Sequence, residues 1–303
     1  MTTSAPNLPS LFPSHFRAFK APGADGVQIH GVTGGAGPPL LLLHGYPQTH
    51  AIWHRVAPRL AEQFSIVAPD LRGYGDSDKP PTDANHAPYS KRAMAADQVA
   101  VMRDLGFDAF FVCGHDRGGR VAHRMAMDYP GAVQKLAVLD IAPTREMYAA
   151  TNFEFARAYY WWFFLVQPAD LPERLIGAEP KLWLTRKLAG KASNTEGLEL
   201  FDPRALAEYV RCFAGPTIHS TCEDYRAAAT IDIAHDDADG DRKLTQPLLA
   251  LWGAKGTVAR CFDVLDLWRK RASDVRGEAL PSGHYIPEEC PDLLVERLLS
   301  FFD

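Results

Sequence analysis

Val112-Cys113-Gly114-His115-Asp116-Arg117-Gly118-Gly119-Arg120 is the stretch on which the reading of this chain turns. An apolar run, Ala109 to Cys113, leads into it, and a helical pattern, Arg117 to Tyr129, leads out. Gly114 and Gly118 keep the frame of the nucleophile elbow G-x-S-x-G, a sharp strand-to-helix turn that exposes one reactive side chain. Here a carboxylate, Asp116, occupies the centre. A lone aspartate before a helix is ordinarily an N-cap. A cap does not require glycine on both sides, so the flanking Gly114, Gly118 and Gly119 favour a covalent nucleophile. A carboxylate attacks carbonyl carbon poorly but is competent for displacement at saturated carbon. The ester it forms must then be hydrolysed by an activated water.

Around the elbow, strand-like and helix-like patterns alternate, which predicts an α/β fold with a mostly parallel sheet and helices on both faces. Val27 to Val32 reads as an early edge strand. Leu40 to Leu43 reads as a fully buried strand ahead of His44-Gly45. Ile66 to Ala68 leads into the glycine-rich loop Asp70 to Ser77. Ser90 is placed to cap a helix through Val99 and Met102, and Gly106 to end it. Leu136 to Leu139 is the next strand, ending at Asp140. Strand signals then vanish, and an aromatic, helix-rich segment with a helix start at Asp202-Pro203 follows. They return at Leu248 to Trp252 and weakly at Ala279-Leu280, before a final helix from Pro291 to Phe301. The expected division is therefore a sheet-bearing core in two parts, 1–142 and 232–303, with a helical cap at 143–231. Ligands bind outside the carboxyl ends of parallel strands. His44, Asp116, Asp140 and His284 each follow a strand or an apolar run, so they can converge on one face beneath the insertion.

Bulk properties narrow the function classes. The 303 residues suffice for one large domain with an insertion or for two domains. Hydrophobic residues make up 47% and charged residues 23%, the composition of a folded globular chain. A net charge of −5 gives no basic footprint for nucleic acid. The 5 cysteines are widely spaced and form no CxxC or Cys/His cluster, which points to reduced thiols in a cytoplasmic protein and away from a zinc site. Met1 to Arg17 is polar and proline-punctuated, unlike a signal peptide. The longest apolar run, Ala158 to Val166, falls well short of the ~20 residues a bilayer span needs.

The remaining machinery is then sought along the chain. His284, in Ser282-Gly283-His284, is the candidate base, because elbow hydrolases run in the order nucleophile, acid, histidine. Its bland alternative is a surface-loop histidine. For the orienting acid, Asp140 is preferred and Asp263 is the alternative. The loop Gly253-Ala254-Lys255-Gly256-Thr257, where an acid could also sit, has no carboxylate before Asp263. Backbone N–H groups of Tyr46 and Arg117 suit an oxyanion hole for ester hydrolysis. His44 and His115 read as structural. Arg117 and Arg120, three apart on one helix, share a face and suit a substrate carboxylate. The alternative is a pair of solvated or salt-bridged arginines, with Asp116 itself as a partner. In the run Tyr159 to Phe164 most rings are packing, but Trp and Tyr donors suit a leaving halide in a dry pocket.

Several motifs together resemble the haloacetate dehalogenases, including fluoroacetate dehalogenase, of the α/β-hydrolase superfamily. They are His44-Gly45-Tyr46-Pro47-Gln48-Thr49, Asp70-Leu71-Arg72-Gly73-Tyr74-Gly75, Gly114 to Arg120, Val138 to Thr144, Cys222 to Ala227 and Ser282-Gly283-His284. The resemblance covers nearly the whole chain from Phe16 onward, and its most specific part is the His-Asp-Arg elbow with the second arginine. It implies an α/β-hydrolase fold and a two-step reaction. Asp116 displaces halide from a haloacetate, and a water activated by His284, oriented by Asp140, then releases glycolate. Arg117 and Arg120 hold the substrate carboxylate. The resemblance further implies no metal or organic cofactor and a homodimer. The family's halide pocket, a His-Trp pair plus a tyrosine, falls on Trp161, Trp162 and Tyr225. Tryptophan thus replaces histidine at 161, offering one donor and more bulk. This departure predicts weaker cleavage of C–F than of C–Cl or C–Br.

Two other readings remain. An epoxide hydrolase would also use an elbow aspartate, with Tyr159, Tyr160 or Tyr225 protonating the epoxide oxygen. Paired arginines have no evident use for that neutral substrate. A non-catalytic ligand receptor of the same fold would be expected to carry a broken triad, whereas all candidate members are present.

Overall fold

A computed structural model describes residues 11–190 and 197–303. The first ten residues of the polar N-terminal stretch lie outside the described residues. Eight strands form one sheet: β1 (Arg17–Pro22), β2 (Gln28–Gly34), β3 (Pro39–Leu43), β4 (Ser65–Pro69), β5 (Phe110–His115), β6 (Val133–Leu139), β7 (Leu248–Gly253) and β8 (Val275–Leu280). Their spatial order is β1-β2-β4-β3-β5-β6-β7-β8. The β1/β2 and β2/β4 pairs are antiparallel, and every pair from β4/β3 to β7/β8 is parallel. The predicted strand at Val27 to Val32 is therefore not the edge. That place belongs to β1, whose RAFKAP sequence buries only Ala21 and gives little apolar signal.

The central strands are apolar on both faces because helices cover both. Leu41 and Leu43 join one core cluster with Val112, Leu136 and Val138. Their neighbours Leu40 and Leu42 join the opposite cluster with Cys113, Ala137 and Leu139. The first cluster receives the helices Lys91–Asp104 and Arg117–Asp128, and the second receives Pro291–Phe302. Ser90 caps Lys91–Asp104 by accepting the Ala93 N–H at 3.2 Å. Asp202 likewise caps Pro203–Cys212 through the Arg204 N–H at 2.8 Å.

Between β6 and β7 the described residues form helices and no strand. Their buried rings, among them Phe155, Tyr159, Trp161, Trp162, Tyr209 and Tyr225, extend the first core cluster over the carboxyl ends of the strands. One of these helices, Ile231–Asp239, begins where the sequence pattern placed the insertion's end. All 5 cysteines are free thiols. Among the described residues, no helix is long and apolar enough to cross a membrane.

Candidate active site

Asp116 sits between β5 and the helix Arg117–Asp128 with φ 47° and ψ −113°. A positive φ in a non-glycine residue is strained, and such residues concentrate at functional sites. Its side chain makes no capping hydrogen bond to the helix, so the N-cap alternative does not hold. The turn is this tight because a Cβ on Gly114 would collide with Gly118, and one on Gly118 with the carbonyls of Leu43 and His44. Asp116 Oδ1 instead accepts the Tyr46 N–H at 3.2 Å. Gly45 permits this approach, since a Cβ there would collide with Asp116 Cβ. Burial opposes ionisation of Asp116. His284, Arg120, His115 and Arg117 outweigh it, the histidines being cationic at the low pH where Asp116 would take up a proton, and hold the carboxyl well below the usual range.

Four chain segments meet here, following β3, β5, β6 and β8. His284 Nε2 lies 3.8 Å from Asp116 Oδ2, and its Nδ1–H donates to Asp140 Oδ2 at 2.6 Å. That bond leaves the lone pair of Nε2 facing the nucleophile. Asp140 is itself strained at φ 49°, and its Oδ1 accepts the Gly253 N–H at 3.0 Å. Asp263 lies elsewhere in role: it caps the helix Val264–Arg269 through the Asp266 N–H. The backbone around His284 is fixed on both sides. Glu289 accepts the Gly283 N–H at 2.7 Å and the Tyr285 N–H at 2.9 Å, and His115 Nε2–H donates to the His284 carbonyl at 2.8 Å. Burial lowers the His115 pKa to about 4, which suits a neutral packing residue. His44 is also neutral in its bonding: Nε2 accepts the Leu71 N–H and Nδ1–H donates to the Gly45 carbonyl.

The arginines are anchored, but not by Asp116. Arg117 gives Nε and Nη2 to Asp224, at 2.9 and 2.6 Å, and leaves Nη1 without a partner. Arg120 gives Nη1 to the Ala142 carbonyl and Thr144 Oγ1, and Nη2 to Met147 Sδ, and leaves Nε without a partner. Two buried N–H groups are thus available to an anion. Asp224 was not visible as a partner in sequence. It also takes the Tyr74 hydroxyl at 2.6 Å and the Lys91 ammonium.

The aromatic candidates gather around these arginines. The Arg117 guanidinium lies 4.2 Å from the Tyr225 ring centroid, and that of Arg120 lies 4.7 Å from Trp162. Trp162 Nε1 and the Tyr148 hydroxyl are buried and unpartnered. Trp161 and Tyr159 are buried with ring centroids 4.8 Å apart. Tyr160 is 49% exposed and packs edge-on against Trp183, which removes it as an internal proton donor.

Among the described residues, two groups bring metal-ligand atoms within 4.8 Å: His30, His50 and Asp70, and Glu173, His219 and Glu223. In the first, Asp70 is occupied by both imidazoles and by the His50 and Asp76 N–H groups. In the second, Glu173 and Glu223 are both bonded to Arg226.

Comparison with known proteins identifies the fold and the family. Residues 38–291 match the model of the α/β-hydrolase fold family. Fluoroacetate dehalogenase of Burkholderia sp is 46% identical, over 91% of this chain and 90% of that protein. The soluble epoxide hydrolase of Corynebacterium sp. (strain C12) is 37% identical, over 92% of this chain and 94% of that protein. The crystal structure of ALR0039 from Nostoc sp PCC 7120 superposes with a TM-score of 0.93 at 53% identity, covering 95% of this chain and 98% of that one. The chain belongs to the α/β-hydrolase fold family, on its fluoroacetate dehalogenase-like side.

Proposed function

We propose that this protein is a hydrolytic dehalogenase that converts haloacetates to glycolate and halide through an ester on Asp116. The observation that carries the reading is a buried, ionised nucleophile on a strained elbow beside two arginines, each with one buried N–H unpartnered. Arg117 Nη1 and Arg120 Nε take the substrate carboxylate and hold the neighbouring CH₂ carbon in line with Asp116 Oδ2. The oxygen–carbon bond forms as the carbon–halogen bond breaks, and the bonding pair leaves with the halide. Donors on Trp161, Trp162 and Tyr225 receive it.

A water then adds to the Asp116 carbonyl carbon while His284 Nε2 removes its proton. Asp140 stabilises the imidazolium that results. Negative charge on Oδ1 meets the backbone N–H groups of Tyr46 and Arg117. Collapse breaks the bond to the substrate oxygen, which takes the proton back from His284 and leaves as glycolate; the proton remaining on Asp116 passes to solvent and the carboxylate is restored. No step requires a cofactor. Residues 143–231 act as the cap that keeps bulk water out. We place the enzyme in the cytoplasm as a homodimer, in keeping with its free thiols and with the resemblance set out above. Trp161 orders the halogens, with chloride and bromide leaving more readily than fluoride.

The test is halide release from fluoroacetate, chloroacetate and bromoacetate, followed by intact-mass analysis of His284→Asn. The expected result is release by the wild type and a covalent adduct on Asp116 in the variant. Rapid turnover by Asp116→Ala would refute the nucleophile. Turnover of styrene oxide with no halide release from haloacetates would move the assignment to an epoxide hydrolase. Any catalytic turnover excludes the receptor reading.

A further inference from the structure

The helix Pro180–Ala189 reaches the site at three points. Trp183 Nε1–H donates to the Tyr46 hydroxyl at 2.6 Å. The Tyr285 hydroxyl, beside His284, donates to the Lys187 carbonyl at 3.4 Å. The Lys187 ammonium lies 2.8 Å from the centroid of the Trp161 indole and 5.9 Å from that of the Tyr46 ring. Lys187 is only 5% exposed. Lysines are rarely buried so fully, and an aromatic face is one of the few surroundings that stabilise a buried cation.

The displacement step moves a negative charge across the site. Before it, the charge is on Asp116, opposite His284 and Arg120. After it, Asp116 is a neutral ester and the charge is on the halide. A cation on the halide side stabilises the transition state more than the ground state, which is the condition for accelerating the step.

We propose that Lys187 sets the halide response of this enzyme by acting on Trp161. The ammonium against the ring face draws electron density from the indole and strengthens its N–H as a donor. It also adds positive potential where the halide appears. In this way a single tryptophan donor is reinforced at the position where the resemblance implies a histidine. The inference rests on the dehalogenase reading above. Lys187 acts through Trp161 and is a specificity-determining residue rather than a catalytic one.

The experiment compares halide release by the wild type, Lys187→Met and Lys187→Arg on fluoroacetate, chloroacetate and bromoacetate. Lys187→Met is expected to lose about thirtyfold in kcat on fluoroacetate, the magnitude of a desolvated cation–π contact, and progressively less on chloroacetate and bromoacetate. Lys187→Arg keeps the charge and should retain the wild-type order of halides. Bromide binding, followed by tryptophan fluorescence without turnover, should weaken in Lys187→Met. Lys187→Gln replaces the methionine variant if the latter does not fold. An equal loss on all three substrates, or no loss, overturns the inference and leaves the dehalogenase reading standing. Absence of halide release by the wild type overturns both, and is seen before any variant is made.

Discussion

Arg117 turns one edge of its guanidinium onto Asp224, with Nε to Oδ2 at 2.9 Å and Nη2 to Oδ1 at 2.6 Å. A further bond runs from Nη2 to the Asp224 carbonyl at 2.9 Å. The arginine next to Asp116 is therefore held by an aspartate of the helical insertion, and its Nη1 alone is left without a bond. Asp224→Asn removes a buried charge that Arg117 and Lys91 share. Breaking one side of a buried pair costs about 3–5 kcal/mol, so unfolding in urea should shift by that order. In the folded fraction KM for chloroacetate should rise more than kcat falls, because the variant loosens carboxylate binding. Steady-state kinetics beside a denaturation curve checks both.

Asp140→Asn leaves the geometry nearly intact but offers Nδ1 of His284 no carboxylate. Loss of the comparable carboxylate in other triads costs about 10⁴ in kcat. Alkylation of Asp116 does not need the base, so a halide burst of about one equivalent per site should survive while steady turnover collapses. Rapid-mixing halide detection reads the burst.

Gly45→Ala places a methyl group against Asp116 Cβ and its Oδ1. The nucleophile must move, and a displacement on the order of 1 Å can cost about 10²-fold. Activity should fall by that order with a melting temperature close to wild type. A comparable loss of stability and activity would instead mark Gly45 as a folding residue.

Glu288 is buried, accepts the Tyr209 hydroxyl at 2.6 Å, and is pushed by burial from 4.5 up to about 8. The folded chain therefore keeps a proton that the unfolded chain has already released between those values. Its contribution to stability is fully present below 4.5 and is lost as pH rises through 8. Glu288→Gln removes that dependence. Its stability relative to wild type should increase by roughly 1.4 kcal/mol per pH unit across the interval, measured by urea unfolding at several pH values.

Trp161→His places a ring with two nitrogens at the proposed halide position. The ratio of fluoroacetate to chloroacetate turnover should rise severalfold, read by fluoride and chloride electrodes on the same preparation. A ratio that stays constant would mean that Trp161 does not face the leaving group.

What could be read in the sequence follows from how local each signal is. Asp116 was legible because a strained turn demands glycine in its immediate neighbourhood. The buried strands β3, β5 and β6 were legible because both their faces are apolar. β1 and β8 were poorly legible for the opposite reason: RAFKAP buries Ala21 alone, and VRGEAL buries only Leu280. Asp224 had no such signature. It lies 107 positions from Arg117 on a helix whose pattern says only that it is helical, and the contact exists only after the insertion folds over the sheet. The same holds for Lys187, an unremarked lysine until its helix meets Trp161.

The knot around Asp224 has one more consequence. It joins Tyr74, Lys91 and Arg117, all of the sheet-bearing part, to a single carboxylate of the overlying helices. A roof riveted at this point does not swing freely on a hinge, because lifting it would break the buried bonds that hold Arg117. On the dehalogenase reading, small ligands are therefore expected to enter between side chains rather than under a lifted roof.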